Sequence, residues 1–315
     1  MANIIINNYC NQKCEYCFAW KNMGDVSLKK EMNLKTFLYC LQHLKNISDT
    51  RVRILWWEPL LHSRIQQFIQ VSLKWGFDMT IFSNLKIPQE KLYKILDFWE
   101  DFQYRRITFN LNLNDRDFYS DIELVTIYDS LRILEQKGTE NIISYNVYEY
   151  SYKYDFIFDT AKRFWVQSVV LKVTNTVVGD KEIIDSNSRK YGNYIFGIIQ
   201  KYAKDFHITF GCGLSRYIFS DEQREYIEKN TDIVLKYGCE NNGGKYDINT
   251  DGSIFRCYPL QSLYHSKDLD ISNKVIREKT YRELKDYIDS FIPHHKYKLK
   301  HDGNCLWNQI NNSNV

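Results

Sequence analysis

Apolar positions along the chain alternate between two spacings. Ile4-Ile5-Ile6 is a continuous apolar run ending at Asn7-Asn8, which reads as a short buried strand. Leu34, Phe37, Leu38, Leu41 and Leu44 recur at helical spacing and predict an amphipathic helix over 33–47. Arg51–Leu55 reads as a second strand, and Ile65, Phe68, Ile69, Ser72 and Leu73 mark a helix that stops near Gly76. The rhythm continues with strand 77–82, helix 88–101, strand 106–112, helix 121–136, strand 141–148, helix 154–165 and strand 168–173. Such alternation gives βα units and a parallel sheet. Six such strands fit an open or closed α/β barrel better than a bundle or sandwich, with chemistry expected at the C-terminal strand ends.

After about residue 185 the rhythm changes. A helix over 188–204 leads to Cys212 and a helix over 220–236 leads to Cys239. A hairpin over 245–258 follows, turning at Asp251-Gly252, and a helix over 279–291 precedes a tail carrying Cys305. The expected division is a main domain over 1–205 and a smaller one over 206–315.

Composition narrows the classes. Of 315 residues, 44% are hydrophobic and 26% charged, while only 4 Pro and 13 Gly argue against long linkers. Lys and Arg number 42 against 39 Asp and Glu, and a net charge of +3 predicts no nucleic-acid partner. The basic stretch from His294 to His301 reads as a solvated tail. No apolar run is long enough to span a bilayer, and no signal peptide precedes the first cysteines, so a reducing cytoplasmic location is expected. Eight cysteines in that setting point to metal ligation before disulfides.

Three of them stand on one tight loop just after the first strand, in Cys10-Asn-Gln-Lys-Cys14-Glu-Tyr-Cys17. Three thiolates can each hold a corner of a 4Fe-4S cubane, which leaves the fourth iron without a protein ligand. An open metal position is where a substrate or cofactor coordinates. The alternative is a structural zinc site, but the nearest fourth ligands, Cys40 and His43, lie in the following helix.

The spacing Cys-x3-Cys-x2-Cys after a first strand resembles the signature of the radical S-adenosylmethionine (radical SAM) superfamily, and Tyr16, before the third cysteine, also fits. The resemblance implies a partial (β/α)6 TIM-type barrel, a cluster at Cys10, Cys14 and Cys17, and Tyr16 beside the adenine. It implies reductive cleavage of S-adenosyl-L-methionine to a 5′-deoxyadenosyl radical that abstracts a substrate hydrogen, with a reductant such as flavodoxin or ferredoxin. Trp56-Trp57-Glu58-Pro59 occupies the place of the family's Gly-Gly-Glu-Pro motif, which contacts the methionine amino group. Phe82-Ser83-Asn84 resembles its Thr-Asn-Gly stretch, and Asn110 and Asn112 match positions of a polar contact to the ribose or carboxylate. The departure is Trp56-Trp57, because glycines let the backbone approach a cofactor with no Cβ in the way.

Cys239, Gly252 and Cys257 form a Cys-x12-Gly-x4-Cys run that resembles the opening of the SPASM and twitch extensions of that superfamily. With Cys212 and Cys305 they make four candidate ligands for a second, auxiliary 4Fe-4S cluster, a four-cysteine zinc site being the alternative. Cys40 is left as a core residue. A hairpin-plus-helix, cluster-binding extension of this kind accompanies enzymes that modify peptides, so a substrate peptide is expected. No N-terminal leader-binding domain is expected, since the barrel starts almost at residue 1. The other readings are an enzyme acting on a small molecule such as a carbohydrate or nucleotide derivative, and a non-catalytic iron–sulfur protein. Tyr145, Tyr148, Tyr150, Tyr152 and Tyr154 either wall a groove or pack in a strand and loop.

Overall fold

The structure, a computed structural model, describes residues 2–14, 17, 29–97, 101–147, 153–173, 186–211, 216–235, 246–255 and 269–290. It divides into two compact units, one of residues 1–111, 121–141 and 243–293, the other of 112–120, 142–242 and 294–315. The architecture is α/β, and every strand pairing given below is parallel except one.

In the first unit β1 (Ala2–Ile4), β2 (Arg51–Ile54), β3 (Asp78–Ser83) and β4 (Ile107–Leu113) pair side by side in sequence order. On its other edge β1 takes up β8 (Tyr246–Ile248) in parallel, with Ala2 opposite Tyr246 and Ile4 opposite Ile248. β8 then turns back antiparallel onto β9 (Ile254–Phe255). The hairpin anticipated near 245–258 is therefore present, and its first strand extends the sheet from β1. Its turn requires Gly252: φ is +93°, and an added Cβ would lie 2.8 Å from Asp270 Oδ1 and 3.3 Å from Ile271 Cγ2.

The helices of this unit follow their apolar stripes. α1 (Leu34–Asn46) starts where Asn33 Oδ1 accepts Thr36 N at 2.9 Å, and it buries Phe37, Cys40, Leu41 and Leu44. α2 (Ile65–Lys74) buries all five residues that mark it in sequence, and Phe68 stacks on Phe37 with ring centroids 4.1 Å apart. Each buried Leu, Ile or Phe side chain contributes about 1.5–3 kcal/mol. α3 (Gln89–Ile95) is much shorter than the anticipated 88–101; the chain is a 3-10 turn over Asp101–Arg106, where Tyr104 is buried and donates to Leu96 O. α4 (Asp121–Lys137), α8 (Lys274–Glu278) and α9 (Tyr281–Ser290) complete the unit.

In the second unit β5 (Glu140–Val147), whose first two residues still belong to the other unit, pairs with β6 (Ser168–Val173) from Ile142 onward, and β6 with β7 (His207–Phe210). α5 (Asp155–Arg163) and α7 (Asp221–Asn230) are shorter than the expected helices, and α6 (Ser186–Tyr202) lies two residues earlier than the expected 188–204. β7 was not anticipated. α7 begins in a capping box between Ser220 and Gln223 and ends at an extended Thr231 with φ −143°, so residues 231–235 are not helical as expected. The β-branched run Thr231, Ile233 and Val234 disfavours continuation.

Candidate functional site

Ile5 and Ile6 carry the chain from β1 through the core, where Ile5 N donates to Ile248 O at 2.8 Å. The next residue, Asn7, is fully buried, and its side-chain amide donates to Glu58 O at 2.8 Å. Glu58 N returns a bond to Tyr9 O at 3.1 Å. The cysteine loop after β1 is thus fastened to the loop after β2 from both directions.

Glu58 is itself inaccessible to solvent, and its carboxylate takes one donor from its own loop and two from the end of β3. Oε1 accepts Leu60 N at 3.0 Å and Ser83 Oγ at 2.8 Å, and Oε2 accepts Asn84 N at 2.7 Å. Burial outweighs these three donors and raises its pKa to about 7. Beyond Ser83, Asn84 donates its amide to Asn11 Oδ1 at 2.9 Å and to Cys10 Sγ at 3.6 Å, while its Oδ1 accepts Lys86 N at 2.8 Å. Leu85 follows with φ 54°.

The sulfurs receive two further donors. Gln12 N lies 3.4 Å from Cys10 Sγ and Gln12 Nε2 lies 3.3 Å from Cys14 Sγ. Cys17 N donates to Cys14 O at 2.9 Å, and the Cys17 side chain packs with Trp56 and Trp57 against Ile5 and Phe255. As a free thiol Cys10 is pushed up to about 12, first by burial and then by the charge of Glu58, with Cys14 and Cys17 adding to it. The three thiols are therefore electrostatic neighbours, although among the described residues no three His, Cys, Asp or Glu side chains already stand as a metal-binding group. The chemistry of the donor set fits an iron–sulfur cluster, since N–H groups turned toward sulfur favour the thiolate that binds iron.

Trp56 and Trp57 resolve one question and pose another. Both hold positive φ, 71° and 57°, so the loop keeps the backbone conformation that glycines adopt freely. Left-handed conformations cost about 1–2 kcal/mol per L-residue.

The remaining sequence candidates are distributed as follows. Pro59 is buried in a 3-10 turn, Pro59–Leu61. Asn110 is buried on β4, and half-buried Asn112 accepts Lys172 Nζ at 3.3 Å within the second unit. Tyr16, Cys212, Cys239, Cys257 and Cys305 lie outside the described residues. Cys40 is fully buried on α1, as its helical position implies. His62 is buried too; Nδ1 accepts Arg64 N at 2.9 Å and Nε2 faces Met32 O at 3.1 Å, a packing role that occupies both nitrogens. Tyr145 walls no groove: it is fully buried, donating to Asp115 Oδ1 at 2.9 Å and lying 3.1 Å from Tyr194 Oη. Tyr154 packs edge-on against Tyr194, and Tyr148, Tyr150 and Tyr152 lie outside the described residues. Sequence reasoning missed Asn7, Asn11 and Gln12. Their only signal is an excess of amides around Cys10, which in sequence looks like an ordinary polar loop.

No protein-family model matches the chain, and no curated protein matches it in sequence. Solved structures do. SuiB of Streptococcus suis bound to the precursor peptide SuiA is 18% identical, with a TM-score of 0.62 over 92% of this chain and 66% of that one. SuiB bound to S-adenosylmethionine is 17% identical, with a TM-score of 0.60 over 87% and 62%. The anSMEcpe structure with bound AdoMet and Cp18Cys peptide is 14% identical, with a TM-score of 0.60 over 98% and 87%. The chain thus spans 62% to 66% of the SuiB chain in these two structures and shares the fold of these three solved proteins.

Proposed function

We propose that the chain is a radical SAM enzyme that acts on a peptide. The observation that carries this reading is the fastening of the cysteine loop to the two strand ends beside it. Asn7 and Tyr9 bind the Glu58 backbone, the Glu58 carboxylate binds Ser83 and Asn84, and Asn84 reaches Cys10. That network unites the cysteine loop with the Trp56–Pro59 and Phe82–Asn84 stretches, in a fold whose solved examples carry S-adenosylmethionine.

In this reading Cys10, Cys14 and Cys17 would hold a 4Fe-4S cluster. Bound there, the cluster would supply the electron for reductive cleavage of S-adenosyl-L-methionine, and the resulting 5′-deoxyadenosyl radical would take a hydrogen atom from the substrate. The protein's part is to bind, orient and exclude water. Glu58 braces the loop through three donors on its carboxylate, and contact with the methionine ammonium is assigned to the Trp56–Pro59 loop. Tyr16 is assigned to the adenine and Asn112 to the ribose or carboxylate, with an electron donor of the flavodoxin or ferredoxin type.

The same reading assigns a partial (β/α)6 barrel followed by a twitch-like extension. There Cys212, Cys239, Cys257 and Cys305 would hold an auxiliary 4Fe-4S cluster, and the Gly252 turn between two of them supports the hairpin that extension needs. Peptides bound to SuiB and to anSMEcpe support a peptide substrate.

Anaerobic reconstitution tests the ligand assignment. Cys14→Ala should lose the iron and sulfide of one cluster while the auxiliary cluster stays visible by absorption and EPR. An unchanged iron content would refute the assignment.

A further inference from the structure

Gln12 sits in the middle of the Cys10–Cys14 spacer, yet it is only 5% exposed. Burying a primary amide is costly unless its polar atoms are satisfied. Here the side chain makes one hydrogen bond, from Nε2 to Cys14 Sγ at 3.3 Å, and its buried Oε1 has no partner among the described residues. The backbone N–H of the same residue points to Cys10 Sγ at 3.4 Å. One residue thus addresses two of the three cluster sulfurs. Asn84 also reaches Cys10, but its amide is tied as well to Asn11 and to Lys86 N, bonds that fix the strand end whatever the sulfur does. The Gln12 side chain has no such second task.

A thiolate bound to iron carries no proton, so it can only accept. Opposite it, the Gln12 amide is held with N–H toward sulfur; the flipped amide would set two acceptors against each other. A donor on a ligand sulfur withdraws charge from the cluster and favours its reduced, more negative state. Hydrogen bonds to the sulfurs are among the determinants of cluster potential. We infer that Gln12 is a positioning residue that raises the reduction potential of the cluster at Cys10, Cys14 and Cys17 through its side-chain N–H to Cys14. This rests on the cluster assignment proposed above.

The test uses the full chain, reconstituted anaerobically, and Gln12→Leu, which keeps the volume and removes the donor. Gln12→Met serves as a second variant of similar size should the first fold poorly. Iron and sulfide are counted, and the midpoint is read by EPR-monitored redox titration. The signal that changes on adding S-adenosylmethionine marks the cluster with the open iron. The expected result is wild-type iron content with about tenfold weaker reduction at a given potential, a midpoint 59 mV more negative for one electron. An unchanged midpoint in a fully loaded variant overturns the inference. So does partial loss of iron with an unchanged midpoint in what remains, which would make Gln12 a support for the loop. A wild-type chain that takes up no iron overturns the cluster assignment itself, and with it the inference.

Discussion

Among single residues, Glu58 carries the clearest energetic signature. Its folded pKa, raised to about 7 chiefly by burial, lies above the ordinary carboxylate value of 4.5. The folded state therefore holds the proton more tightly than the unfolded chain. The corresponding stability is complete below about pH 4.5 and is lost as pH rises through about 7. Relative to Glu58→Gln, which cannot titrate, the wild type should lose about 3 kcal/mol between these limits. Denaturant titrations of both proteins across pH 4.5–8 check this, and a constant difference would mean that the brace does not titrate. The identities of Glu58, Ser83 and Asn84 are visible in sequence because they lie in recognisable stretches at strand ends. Their roles are less visible: Ser83 and Asn84 serve first as partners of a buried carboxylate, which requires knowing that β2 and β3 are neighbours.

For the loop after β2, the two tryptophans make an unusual prediction. Glycine is ordinarily less stable than alanine at a given site because it loses more backbone freedom on folding. At Trp56 the order should invert, since alanine keeps the strain of φ 71° and glycine relieves it. Trp56→Gly should be more stable than Trp56→Ala by about 1 kcal/mol, measured by urea denaturation. Alanine proving the more stable of the two would show that the left-handed conformation is not held. The strands and helices around this loop were largely legible, because α1, α2 and β2–β6 carry strong patterns, while β1 is Ala2–Ile4 and shares only Ile4 with the apolar run read as the first strand. β7, four residues from His207 soon after a long helix, was not anticipated. The parallel pairing of β8 with β1 was hidden as well, because it joins segments more than 240 residues apart and leaves no local trace. α3 was overestimated: it ends at Ile95 with Leu96 as its C-cap, and Asp101–Arg106 form a 3-10 turn.

For the whole molecule, structural likeness at 14% to 18% identity speaks to the fold and leaves the activity to the site. What the site adds is a cysteine loop whose sulfurs receive N–H donors from Gln12 and Asn84, fastened to a braced acidic loop. Trp56 and Trp57 place bulk where a glycine pair would be expected, while leaving the backbone in a glycine-like conformation. The central claim is that this arrangement turns over S-adenosyl-L-methionine. The direct measurement is anaerobic: the reconstituted chain is mixed with dithionite and S-adenosyl-L-methionine, and 5′-deoxyadenosine is quantified. Formation of 5′-deoxyadenosine that disappears in Cys14→Ala is the predicted result; none from a chain with an intact cluster at Cys10, Cys14 and Cys17 would contradict it.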